Sequence, residues 1–211
     1  MTNQSIVFDA VSVRRENTFQ FDVWYANHYL PDMLRHGGFT SVRRYLSPIR
    51  ASYLAIFQVA GQPGPAPGPE VTVKHELVTT VERFAADYIG GRTAPGAGSA
   101  IAEADILYPV FFRVPQAREQ EFNAWYDEEH MELLQGCSYW PMCQRYRIRD
   151  PQAGGWTHLA LHTLTDLRAL ESPERDLARS TAWRDRLAAE AWFKGEYRVY
   201  YQWGGRLALK S

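Results

Sequence analysis

The sequence predicts an α+β chain made of two tandem units, each of order β-α-β-β-α-β, and three observations carry this. Phe21-Asp22-Val23-Trp24-Tyr25 recurs as Phe122-Asn123-Ala124-Trp125-Tyr126, an offset of 101 residues from position 24 to position 125. Arg44-Tyr45 returns as Arg145-Tyr146 at the same offset. Around both matches, short runs rich in Val, Ile and Phe alternate with helical stretches in the same order. We read a tandem duplication, with units 1–104 and 105–211.

Each element has a local reason. Ser5–Val13 and Ile106–Val114 suit first strands, being dense in β-branched and aromatic residues. Asn17-Thr18-Phe19-Gln20 offers an N-cap with glutamine at the third helical position, and Pro115 can open the matching helix. These helices should stop at Gly37-Gly38 and near Gly136, where glycine tolerates a left-handed cap. Two further strands follow in each half, at Phe39–Ser47 and Tyr53–Ala60, then at Tyr139–Arg149 and Trp156–Leu164. Turn residues such as Asp150-Pro151 and Gly154-Gly155 separate the later pair. A second helix is expected over Val71–Tyr88, followed by a Gly-rich, degenerate fourth strand at 90–99. In the second half, Ser172-Pro173-Glu174 caps a helix reaching about Trp192, and Tyr197–Trp203 closes as a strand. This order is the ferredoxin-like unit. Gly61–Pro69, with seven Gly or Pro among nine residues, reads as a surface loop. A four-stranded sheet with both helices on one face leaves its other face apolar, so the two sheets are expected to pack face to face within the chain.

Composition narrows the function classes. Lys+Arg is 23 against Asp+Glu 24, a formal net charge of -1, which argues against nucleic acid or an anionic membrane as the main partner. The aromatic fraction of 14%, with 7 Trp, 12 Tyr and 10 Phe, is enough to line a cavity as well as fill a core. Cys137 and Cys143 lack disulfide or metal-ligand spacing, so buried free thiols in a reducing compartment are expected. With no secretory leader and no long apolar run, the expectation is a cytoplasmic protein, monomeric or homodimeric. There is no Gly-x-Gly-x-x-Gly after a strand, no phosphate loop and no His-Glu-x-x-His, so no cofactor is expected.

The segment Trp125-Tyr126-Asp127-Glu128-Glu129-His130, followed by Leu133-Leu134, resembles the helix motif of the dimeric α/β barrel superfamily, in particular its EthD-like members. The proline expected after the motif is missing there. In the first copy, Trp24-Tyr25-Ala26-Asn27-His28-Tyr29-Leu30-Pro31, the proline is kept but Tyr29 occupies the histidine register and His28 sits one place early. The resemblance implies a barrel whose two sheets come from one chain. It also implies a family range of isomerases, cyclases, cofactor-free monooxygenases, decarboxylases and haem proteins, among which fold alone does not choose.

Helical spacing sets Trp125 over Glu129 and Tyr126 over His130, bringing an acid and an imidazole beside two rings. Such a set could move protons: His130 is the expected acid/base, Glu129 its tuning partner and Tyr126 a hydrogen-bond donor. The plainer alternative is a buried stripe of Phe122, Trp125, Tyr126 and Leu133 with the carboxylates in solvent. Trp24, His28 and Tyr29 repeat the geometry without the carboxylates and are expected only to contact substrate. Arg145, with its planar fork, is the expected anion holder. His158 and His162 share a strand face ~13 Å apart, too far to ligate one metal, and His158 is expected within reach of the pocket. The leading expectation is a cofactor-independent enzyme that isomerises, cyclises or decarboxylates a small hydrophobic, aromatic or polyketide-like substrate. A non-catalytic small-molecule binder and a haem enzyme are the alternatives.

Overall fold

The computed structural model describes residues 5–49, 51–59, 76–98, 105–151 and 155–208. The Gly/Pro loop 61–69 and the repeat boundary at 104 lie outside these residues. The chain divides into two compact units, one of Met1–Tyr88 with Tyr200–Ser211 and one of Ile89–Val199. Residues 200–211, expected in the second half, fall in the first compact unit.

In the first unit, β1 (Ile6–Val13) is the central strand, antiparallel to both β3 (Ser52–Val59) and β4 (Val78–Thr93). β2 (Phe39–Ser47) flanks β3, giving the order β2-β3-β1-β4, that of a ferredoxin-like sheet. Two short strands, β9 (Tyr200–Gln202) and β10 (Leu207–Ala208), pair with β2. The helix lying on this sheet has three parts: α1 (Thr18–Trp24), a π-turn over Tyr25–Tyr29, and α2 (Leu30–His36). Its inward face buries Phe21, Tyr25, Tyr29, Leu30 and Met33 against Val7, Val42, Ala55 and Phe57 of the strands. Each such burial contributes roughly 1.5–3 kcal/mol, which fixes the helix against the sheet. Gly38, at φ 70, then supplies the left-handed step out of the helix.

The helix expected over 71–88 is corrected by the structure: from Val78 onward this segment is strand β4. Val78-Thr79-Thr80-Val81 is β-branched, and its pairing with β1 places Phe84 opposite Phe8, with rings stacked at 4.9 Å, and Arg83 opposite Asp9. The fourth strand is thus long, and it continues through Gly90-Gly91.

In the second unit, β5 (Ile106–Phe112) lies between β7 (His158–Leu164) and the two-residue β8 (Glu196–Tyr197), with β6 (Met142–Ile148) outside β7. The helix on this sheet again has three parts: α3 (Glu119–Trp125), a π-turn over Tyr126–His130, and α4 (Met131–Leu134). Both π-turns fall in the same register, residues 25–29 and 126–130, at the 101-residue offset. The single helix expected over 172–192 is split into α5 (Pro173–Ala178) and α6 (Ala182–Ala188). Ser172 caps the first, its Oγ accepting from Arg175 N at 3.2 Å, and Thr181 caps the second, accepting from Arg184 N at 3.1 Å. The break falls where Ser180 donates back to Leu177 O at 3.2 Å, a hydroxyl competing with the backbone ladder. The strand expected over 197–203 is likewise two short pieces, β8 and β9.

Candidate active site

The π-turn of the second unit lies beside a cavity of about 190 Å³. Trp125, Tyr126, Phe112 and Trp140 form aromatic walls, with Tyr108, Phe193 and Tyr197 around them. The imidazole and guanidinium side chains in the lining are those of His130, His162, Arg175, Arg179 and Arg184. An apolar cleft with a few convergent polar groups is the usual form of a small-molecule site.

The π-turn determines how His130 is presented. Widening one turn lets residues five apart meet, and Trp125 stacks on the His130 imidazole at 4.3 Å. Tyr126 meets the same ring edge-on at 5.1 Å. Glu129, expected to tune the imidazole, is turned elsewhere: its Oε1 accepts from Thr181 Oγ1 at 2.6 Å. The structure therefore brings Trp125, Tyr126 and His130 together as expected but places Glu129 on the cap of α6.

His130 Nδ1 lies 3.3 Å from the Ala178 carbonyl oxygen, which can only accept, so Nδ1 carries the proton and Nε2 keeps its lone pair. Burial pushes the His130 pKa down to about 3, the Ala178 hydrogen bond opposes this, and Arg184, Arg179 and Arg175 lower it further. The imidazole is neutral at physiological pH. Tyr126 is held protonated, its pKa raised well above the ordinary value by burial, so it is a hydrogen-bond donor.

His162 lines the same cavity but is tied into the core. Trp140 Nε1 donates to its Nδ1 at 2.9 Å, which leaves the proton on Nε2, 3.9 Å from Cys143 Sγ. Its pKa is pushed down to about 3 by burial and by His130. Both cysteines are buried and free.

Arg145 and His158 do not line this cavity. They face a much smaller one, about 10 Å³, shared with Tyr126, Phe122 and Tyr146. The Arg145 guanidinium is committed to Asn123 Oδ1 at 3.2 Å and Asp127 Oδ2 at 3.0 Å, and lies over the Tyr126 ring at 5.1 Å. It ties strand β6 to helix α3 instead of presenting a free fork. The first unit has the matching tie, Arg44 Nη1 to Asp22 Oδ1 at 3.0 Å. His158 Nδ1 is 3.0 Å from Thr157 Oγ1, and its pKa is lowered to about 4 by burial and then by Arg145 and Arg147.

The first-copy candidates form a different arrangement. His28 is exposed, whereas Tyr29 is buried in the register of His130. Tyr29 Oη donates to Asp9 Oδ2 at 2.6 Å and accepts from Arg83, while Trp24 stacks on the Tyr29 ring at 5.5 Å. Asp9 is fully buried and paired with Arg83 Nη2 at 3.1 Å. Here a buried ion-pair cluster stands where the second unit has an imidazole at a cavity.

Sequence reasoning misses Tyr108, Trp140 and the three arginines. Arg175 and Arg179 stand one helical turn apart, but the sequence reads 172–192 as a single helix and gives no sign that these arginines reach a cavity. Among the described residues no group of three or more His, Cys, Asp or Glu could hold a metal ion, and no helix is long and apolar enough to cross a membrane.

The sequence matches no protein-family model and no curated protein. Solved structures are similar over nearly its whole length. An anthrone oxidase-like protein aligns with a TM-score of 0.67 at 12% identity, over 98% of this chain and 94% of that one. A ferredoxin-fold protein from Listeria monocytogenes, related to antibiotic biosynthesis monooxygenases, gives 0.53 at 7% identity, over 97% of each chain. A haem-binding protein from Thermus thermophilus gives 0.52 at 13% identity, over 96% of this chain and 92% of that one. At these identities the likeness is one of fold, and it places the whole chain in the α+β, ferredoxin-like class.

Proposed function

We propose that the protein is a cofactor-independent enzyme, of the EthD-like barrel type and arisen by tandem duplication, that moves a proton on a small aromatic or polyketide-like substrate. The single observation that carries this is the Nε2 lone pair of a neutral imidazole at an aromatic-walled cavity. His130 is the base, Tyr126 a donor to a substrate oxygen, and Trp125 the ring that fixes the imidazole plane. A C–H proton passes to Nε2, and the electron pair left on carbon delocalises onto a carbonyl oxygen as an enolate. The anion raises the imidazole pKa as it forms, so the imidazolium exists only while paired. Return of the proton to another carbon gives an isomer, attack of the carbanion on a second carbonyl gives a ring, and the same enolate arises by loss of carbon dioxide.

A second outcome of the same deprotonation is oxidation by molecular oxygen. Similarity to a protein described as anthrone oxidase-like supports it. A methylene then becomes a carbonyl, with one oxygen atom entering the product and the other leaving as water with the two hydrogens. No step here passes through haem.

Anthrone in deuterated buffer tests both forms. Enzyme-dependent deuterium entry at the methylene carbon, lost in His130→Gln and kept in His28→Gln, supports proton transfer, and oxygen uptake in the same sample identifies the oxidative outcome. No exchange above buffer with bound anthrone overturns the reading in favour of a non-catalytic binder. A Soret band in purified protein would do so in favour of a haem protein.

A further inference from the structure

We propose that Arg175, Arg179 and Arg184 form an anion subsite in the cavity wall, so that the substrate class is an aromatic acid carrying a fixed carboxylate beside its fused rings. This deepens the proton-transfer reading of the same cavity and rests on it for the site's identity. All three arginines line the cavity, and all three depress the His130 pKa, so their field reaches the imidazole. The lining contains no aspartate or glutamate. Among the described residues, none of the three is ion-paired with a carboxylate, whereas arginines elsewhere in this unit, such as Arg118, Arg145 and Arg147, each are.

Arg175 and Arg184 are held by contacts that do not neutralise them, while Arg179 stands exposed at the end of α5. Arg175 Nη1 donates to Leu170 O at 2.7 Å, while Arg184 lies over the Phe193 ring at 5.9 Å. Guanidinium groups positioned by a carbonyl and a ring keep their positive charge for a ligand and their planar edges for a bidentate carboxylate. Three like charges around one cleft in a chain of net charge -1 are a local concentration that an anion would relieve. Much of the remaining lining is aromatic, so the fitting ligand is flat and apolar at one end and anionic at the other. With the carboxylate on the arginines, the rings extend toward Trp125 and His130.

The test uses full-length protein, with 2-naphthoate and methyl 2-naphthoate as probes of equal ring system and different charge, read by quenching of tryptophan fluorescence. We expect the acid to bind at least about tenfold more tightly than the ester, with a preference that shrinks as salt rises. The double variant Arg179→Gln, Arg184→Gln should bring the ratio of the two affinities close to one while leaving ester binding in place. A variant that merely loosened the fold would weaken both probes together, and ester binding exposes this. His130→Gln should keep the acid preference. Equal affinity for acid and ester in the wild type, binding of neither, or a ratio unchanged in the double variant would overturn the subsite. Failure of proton transfer shows separately, as absence of deuterium exchange in a protein that still prefers the acid.

Discussion

Trp125 and His130 are stacked at 4.3 Å with an interplanar angle of 27°, although they stand five residues apart on one helix. A regular α-helix brings residues three and four apart together, and only the π-turn over 126–130 makes this contact. Trp24 and Tyr29 are stacked across the matching turn of the first unit. The insertion thus sets which residue follows the tryptophan into the interior, and it separates His130 from Glu129.

If the Trp125 ring shields the imidazole, Trp125→Ala should let water reach it and raise the His130 pKa from about 3 toward its ordinary value. Removing a buried tryptophan should also cost ~3–5 kcal/mol of stability. Trp125→Phe should retain most of both properties. Proton NMR titration of the imidazole together with urea denaturation reads the two effects. An unchanged titration in Trp125→Ala would assign the shift to the arginines instead.

The Asp9, Tyr29 and Arg83 cluster predicts a stability pattern in the first unit. Asp9→Asn removes the carboxylate that pairs with the Arg83 side chain, itself 3% exposed, and should cost about 3–5 kcal/mol. Asp9→Val combined with Arg83→Met removes both charges and should recover most of that loss. Denaturation of the single and double variants gives the coupling. A double variant as unstable as Asp9→Asn would show that shape, not charge pairing, holds this corner.

Much of this is legible in the sequence, for identifiable reasons. Phe39–Ser47 is a strand with the expected bounds, and Ser172-Pro173 opens a helix as its cap chemistry requires. The stretch 78–88 misleads because Glu82, Ala85 and Ala86 favour a helix locally. Its state is decided by pairing with β1, a partner more than seventy residues away for the Asp9 and Arg83 pair. Positions 126 and 130 stand out from the repeat, but the π-turn leaves no mark in helical spacing, so regular spacing aims Glu129 at the wrong neighbour. Arg145 reads as free because Asp127 and Asn123, its partners, sit on an element that only the fold brings beside strand β6.

The buried histidines predict acid lability. His162 and His158, 1% and 3% exposed, have folded pKa values of about 3 and about 4, below the ordinary value near 6.5. The unfolded chain therefore binds more protons than the folded one in this interval. Stability from these groups is fully present above about pH 6.5 and is lost as pH falls toward the folded values. Each contributes a slope of about 1.4 kcal/mol per pH unit. Urea midpoints measured from pH 7 to pH 4.5 should fall steadily. His162→Gln, which can still accept from Trp140, should show a slope shallower by about one proton.

Thr181 joins the helix break to the site. Its Oγ1 accepts from Arg184 N at 3.1 Å, capping α6, and donates to Glu129 Oε1 at 2.6 Å, so one hydroxyl fixes both the start of the helix that carries Arg184 and the carboxylate that follows Glu128. Thr181→Val keeps the shape and removes both bonds. It should cost about 1–2 kcal/mol through the lost cap. It should also free the Glu129 carboxylate to approach the imidazole beside it and loosen Arg184, one of the groups that depress His130. Both changes favour the protonated imidazole, so the His130 pKa should rise in Thr181→Val and stay near about 3 in Thr181→Ser, which keeps donor and acceptor. The distinguishing measurement is an imidazole titration of both variants. A rise of equal size in the serine variant would assign the effect to the lost methyl contact and remove the hydroxyl from this role.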